Sequence, residues 1–194
     1  MTAVLMASLG AMIGIGVSGG TPSPQALVCP GARHGAVVDA ASVTPAVTAP
    51  TGALPPQLQG QPVRMRLLPF FERWAAACDV PPSLVEATCW WESGWQTGVV
   101  SDTGALGVCQ IEPATAQTVR GLLDDQRLDP RSASDNIEMS AAYLRWLLDN
   151  TGGRRDLALA GYYQGLTSVQ EHGILASSRP YVAGITALLH EYSW

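Results

Sequence analysis

Among the residue types that can do chemistry, Glu92 stands out by its setting, Trp90-Trp91-Glu92-Ser93-Gly94-Trp95. Leu84, Val85, Ala87, Thr88 and Trp91 lead up to it as an apolar helical run, and Gly94 ends that run, so the carboxyl falls at a helix C-terminus. The negative end of the helix dipole disfavours an ionised carboxyl there. Neighbouring indoles disfavour it further by desolvation. Both effects raise the pKa, as a general acid working near neutral pH requires. A solvated glutamate at a frayed helix end is the commoner occurrence, so position alone does not decide the role.

Other chemistries find less support. The 194 residues include no Lys, every cation being Arg, which removes Schiff-base and phosphate-loop lysine chemistry. His34, His172 and His190 are far apart and make no metal-ligand spacing. A net charge of -5 without any basic run argues against nucleic-acid binding. No histidine accompanies a recognisable cysteine motif, so a thiol nucleophile is disfavoured.

The elements needed to hold Glu92 read as helices. Pro69 suits a helix start before Phe70, Phe71, Trp74 and Ala77. Pro81-Pro82 breaks it, and Ser83 is placed to cap the helix that carries Glu92. A Gly-, Ser- and Thr-rich loop spans residues 93–106, followed by short helices at 108–111 and 113–122. Ser134 or Asp135 caps a longer helix whose Ile137, Ala141, Leu144 and Leu148 share a stripe, and Gly152-Gly153 stops it. Residues 157–163 form a further helix, and the last begins near Pro180 with Tyr181, Ile185, Leu188 and Tyr192 on one face. No alternating strand pattern appears, so the fold class is all-α.

Upstream the chain changes character. Residues 1–26 resemble an export leader, with apolar sequence from Ala3 to Val17 that is short for a membrane span and lacks a preceding Lys or Arg. Residues 27–63, rich in Pro, Ala and Thr, read as a disordered linker. Residues 64–194 then form one compact helical domain. Cys29, Cys78, Cys89 and Cys109 allow three complete pairings in an exported protein, or buried free thiols. A Cys89–Cys109 bridge would stiffen the surroundings of Glu92.

The order of small motifs adds to this reading. Glu92-Ser93-Gly94-Trp95 is followed by Ser101, Gly104-Ala105, Gly107, Gln110, Pro113 and Thr115-Ala116, then by Ala160-Gly161-Tyr162-Tyr163-Gln164-Gly165 and Arg179-Pro180-Tyr181-Val182. Over residues 67–194 this series resembles the soluble lytic transglycosylase catalytic domain, a family with a lysozyme-like fold shared with goose-type lysozymes. The resemblance implies an exported or cell-envelope lyase that cleaves peptidoglycan without a cofactor. Its substrate would be the β-1,4 bond between N-acetylmuramic acid and N-acetylglucosamine, and its product a 1,6-anhydromuramic end. It further implies Glu92 as the single catalytic acid and base, with Tyr181 orienting it. Ser101 and Gln110 would line the sugar groove with Tyr162 opposite, and Gly104, Ala105 and Gly107 would let the loop pass close to the catalytic helix.

Two positions depart from the family pattern. Tyr163 stands where the family has an Asn that contacts a sugar acetamido group, leaving Gln164 to supply an amide one residue later, and Cys109 replaces a common Met. Expected partners are glycan strands, with transient membrane contact through the leader and a monomeric chain. Hydrolysis with inversion, as in goose-type lysozymes, is the rival mechanism. It needs a second carboxylate, for which Asp102 and then Glu112 are the candidates; Glu86 lies on another helix face. An inactive glycan-binding module is the alternative from outside the enzymes.

Overall fold

The computed structural model describes Cys29, residues 54–192 and Trp194. Their helices are α1 (Pro56–Gln59), α2 (Pro62–Met65), α3 (Leu68–Ala77), α4 (Pro82–Ser93), α5 (Pro113–Leu123), α6 (Ala133–Asn150), α7 (Arg155–Gln164), α8 (Leu166–His172) and α9 (Arg179–Glu191). Among the described residues the only β pairings are isolated bridges, Val100 with Leu106 and Leu106 with Ile111.

The core is organised around α6. It packs against α3, α4, α5 and α7, while α9 lies across α4 and α7. The expected stripe of Ile137, Ala141, Leu144 and Leu148 is buried, and so is almost everything from Asn136 to Leu144. A helix enclosed on most sides loses its amphipathic contrast. That is why polar residues such as Asn136, Glu138 and Ser140 are buried along it.

Local signals placed most helix ends correctly. Pro occupies the first turn of α3, α4, α5 and α9, where its missing N–H costs nothing. Gly94 closes α4 in the left-handed conformation at φ 64°. The caps differ from expectation. Ser132 caps α6, accepting from the Asp135 N–H, in place of Ser134 or Asp135, while α4 starts at Pro82 with Ser83 already inside it. Residues 108–111 form a knot of turns closed by the Leu106–Ile111 bridge rather than a helix. α8 was not expected; with only Leu166 and Val169 buried, its seven residues carry too short a pattern to read.

The start of the folded domain moves upstream of residue 64. Residues expected to be linker form α1 and the first half of α2, with Leu54 and Leu58 buried in the core. A few leucines suffice there because the two short helices lean on a surface built by the rest of the domain. Arg64 donates to the Gly94 carbonyl at 3.0 Å, tying α2 to the end of α4. Cys29 is buried and bonded to Cys78 at the end of α3. The leader and the remaining linker residues lie outside the described residues.

Candidate active site

Glu92 sits in the last turn of α4, one residue before its end. Its carboxylate oxygen Oε1 accepts a 2.6 Å hydrogen bond from the Tyr181 hydroxyl, which comes from the first turn of α9. The side chain is partly buried. Burial pushes its pKa from 4.5 up to about 7, the Tyr181 hydrogen bond opposes the rise, and the negative charge of Glu112 adds to it. Near neutrality such a carboxyl can both give and take a proton. The shelter does not come from all the indoles beside it in sequence. Trp95 is fully buried, bonded through its N–H to the Glu86 carbonyl and packed on Phe71. Trp90 meets Trp95 and Trp194. Only Trp91 reaches toward the site, edge-on to Tyr181.

α7 supplies Tyr162, whose hydroxyl donates either to the Cys109 carbonyl at 2.9 Å or to Ser140 Oγ at 3.1 Å. Burial and the negative charge of Glu92 hold this phenol well above its ordinary pKa, so it stays neutral. The Tyr181 phenol is raised well above its ordinary value for the same two reasons. The loop carrying Ser101 and Gln110 is knitted to itself. Ser101 Oγ accepts from the Ala105 N–H at 2.9 Å. Gln110 has φ 49° and donates through Nε2 to the Gly107 carbonyl at 2.9 Å and the Val99 carbonyl at 3.3 Å. Gln164 is engaged within the protein: its amide donates to Ser168 Oγ and the Gly173 carbonyl and accepts from the Leu175 N–H. It holds the turn after α7 and leaves no amide donor for a ligand.

Cys89 and Cys109 are bonded, fastening α4 to this loop one turn before Glu92. Ser93 reinforces the join by donating to the Val108 carbonyl at 2.6 Å. The backbone approach expected between Gly107 and the catalytic helix is directed elsewhere. At φ 71°, a Cβ on Gly107 would lie 2.9 Å from Asn136 Nδ2 and 3.2 Å from the Pro130 carbonyl, so the loop closes on the start of α6. Asn136 was missed from sequence. It accepts from the Cys109 N–H at 2.8 Å and donates to the carbonyls of Leu106 and Pro130 at 2.8 Å each. The available signal was an Asn and a Ser one turn apart, Asn136 and Ser140, on a helix otherwise apolar at that face.

Of the candidate second carboxylates, Asp102 is exposed, while Glu112, at the start of α5, is the one whose charge reaches Glu92. Thr103 approaches Glu112 at 3.4 Å. Glu86 is buried and feels the charge of Glu72 on α3, its pKa likewise raised to about 7, chiefly by burial.

Comparison with known proteins adds an independent line. Residues 69–181 match the family model described as the Transglycosylase SLT domain. The chain is 30% identical over 103 residues to the soluble lytic murein transglycosylase of Escherichia coli strain K12, covering 50% of this chain and 16% of that relative. It is 32% identical over 146 residues to the endo-type membrane-bound lytic murein transglycosylase A of Klebsiella pneumoniae, covering 72% of this chain and 66% of the relative. The crystal structure of the 70 kDa soluble lytic transglycosylase from Escherichia coli superposes with a TM-score of 0.59 at 24% identity, over 62% of this chain and 23% of that one. A likeness at that identity speaks to fold, and the fold is of the lysozyme-like transglycosylase kind.

Proposed function

This chain belongs to the Transglycosylase SLT domain family, and we propose that it is a peptidoglycan lytic transglycosylase in which Glu92 is the single acid and base. The observation that carries the reading is the partly buried Glu92 carboxyl, poised near neutrality and bonded to Tyr181 at 2.6 Å. Protonated Glu92 gives its proton to the oxygen linking N-acetylmuramic acid to N-acetylglucosamine, and that C–O bond breaks. The resulting carboxylate takes the proton of the muramoyl 6-hydroxyl, whose oxygen bonds to C1. One glycosidic bond is exchanged for an internal 1,6-anhydro bond, and Glu92 ends protonated, as it began. Because the nucleophile belongs to the substrate, one carboxyl suffices.

Tyr181 stabilises the carboxylate midway through this cycle by donating to it. Ser101, Gln110 and Tyr162 line the glycan groove, and Gln164 supports it by fixing the turn behind Tyr162 and Tyr163. Two disulfides favour an oxidising compartment, which agrees with action in the cell envelope on exported glycan. The murein acted on by the relatives is by their names the same class of substrate.

Mass spectrometry of glycan strands digested by the purified protein tests the reading. Anhydromuramoyl ends are expected. Reducing ends would replace it with inverting hydrolysis, for which Glu112 is the candidate carboxylate whose charge reaches Glu92. Intact strands would leave a binding module. Glu92→Gln is expected to keep the fold and lower turnover by at least about 10²-fold, the scale of acid–base assistance.

A further inference from the structure

Tyr181 has a buried ring and a single hydroxyl bond to Glu92, so the geometry at Glu92 is only as good as the placement of that ring. Two other aromatic residues touch it. Tyr163 lies against it with centroids 4.9 Å apart and planes tilted by 31°. Trp91 meets it at 6.4 Å and 85°, edge to face. Contacts from two directions restrict both the tilt of a ring and its slide, which a backbone position alone does not.

We propose that Tyr163 and Trp91 bracket the Tyr181 ring and are positioning residues for the acid–base step, a role that rests on the reading of Glu92 given above. Tyr163 is partly buried at the edge of the core, and the only ring it meets among the described residues is that of Tyr181. Among the described residues no hydrogen bond engages its hydroxyl, whereas Tyr162 and Gln164 on either side are both anchored by theirs. α7 is thereby fixed with the Tyr163 ring turned to Tyr181. Trp91 has a prepared seat on the other side. Gly184 lies one turn after Tyr181 on α9, and a Cβ there would collide with Cη2, Cζ3 and Cζ2 of the Trp91 indole. Glycine lets the indole lie against α9 although its residue remains 37% exposed. The bracket therefore draws on three helices, α4, α7 and α9, and acts on the one phenol that touches Glu92.

The charged and titratable groups around Glu92 are few. α5 presents Glu112, α7 presents Tyr162 and Tyr163, and α9 presents Tyr181. Behind Tyr162, α6 presents Tyr143. From α3, Glu72 faces Glu86 instead. The Tyr181 hydrogen bond is the contribution that lowers the Glu92 pKa, so loosening Tyr181 must raise it.

The test is a ¹³C carboxyl NMR titration of the whole protein, with the Glu92 resonance assigned by its loss in Glu92→Gln. Tyr181→Phe sets the scale by raising the midpoint, on the order of half a unit or more. Tyr163→Leu and Gly184→Ala are each expected to recover at least half of that rise, and Tyr163→Phe to titrate like the wild type. Turnover should fall in the first two, at little change in KM, and return in the third. A midpoint unmoved in Tyr163→Leu and Gly184→Ala while Tyr181→Phe moves it overturns the bracket, as does an unmoved midpoint in Tyr181→Phe itself. Should either variant fail to fold, the midpoint of the other decides alone. Because the titration needs no substrate, shifts as expected in a protein that releases no anhydromuramoyl ends would uphold the bracket and count against the proposed reaction instead.

Discussion

A carboxyl that serves as acid and then base within one turnover changes charge midway, so its pKa must lie near the working pH. Glu92 meets this through opposed influences: burial and Glu112 raise its pKa, Tyr181 lowers it, and the result is about 7. Since the first step of the proposed reaction needs the protonated form, activity is expected to decline as pH rises through about 7. The alkaline limb should answer to single substitutions with opposite signs. Glu112→Gln removes a repelling charge, stabilises the Glu92 carboxylate and moves the limb to lower pH, by less than about one unit. Tyr181→Phe removes a donor and moves it up. Rate profiles across pH 5 to 9 check both, roughly spanning the range in which this carboxyl changes charge. Most of the turnover should survive in Glu112→Gln, whereas an inverting hydrolase relying on Glu112 as base would lose it. At this scale the sequence conveyed the raised pKa but attributed it to the helix dipole and the flanking indoles. Trp90 and Trp95 pack against the core instead, Trp90 because neighbouring residues on a helix point in different directions and Trp95 because it follows the left-handed Gly94 that ends α4, and the phenol that matters comes from residue 181.

Helices and loops position the site through a small number of joins. α4 and the loop of residues 106–111 are linked by Cys89–Cys109 and by Ser93 to the Val108 carbonyl, and Asn136 ties the same loop to α6. The bridge closes a segment with a sequence separation of 20, for which the restriction of the unfolded chain contributes about 3 kcal/mol. Replacing both cysteines by Ser should therefore lower stability by about 2–4 kcal/mol in urea unfolding. Turnover should also fall, because the Cys109 carbonyl accepts one of the bonds that hold Tyr162. Opening Cys29–Cys78 instead, at the far end of α3, should cost comparable stability with turnover largely kept. Comparing the two Ser pairs separates stiffening of the site from stiffening of the fold. Helix starts at proline and the stop at Gly94 were legible because those residues act on their own backbone. α1 and α2 were not, since their few buried leucines have meaning only against the surface they cover.

Across the whole molecule, the described residues include three buried or partly buried carboxyls, Glu86, Glu92 and Glu138, each with its pKa raised to about 7. Desolvation is the largest cause for all three. Between about pH 4.5 and about 7 the folded protein holds protons that the unfolded chain releases, so stability falls as pH rises through that window. Chemical unfolding at pH 5 and pH 8 should show the protein more stable at the acid end by a few kcal/mol, an order-of-magnitude figure. The difference should shrink in Glu86→Gln. Sequence alone determined the helical class, most helix ends, the position of Glu92 at the end of its helix and the order of the motifs around it, because apolar periodicity, proline, glycine and short spacings are written locally. Only the tertiary structure decided which cysteines pair, that Gln164 turns inward, that Asn136 anchors the loop and that the Tyr163 ring lies tilted against Tyr181. Except for the bonds of Gln164, which stay within 11 residues of it, those contacts join residues well separated in sequence. Their geometry is set by how α4, α6, α7 and α9 cross, and no local pattern encodes a crossing.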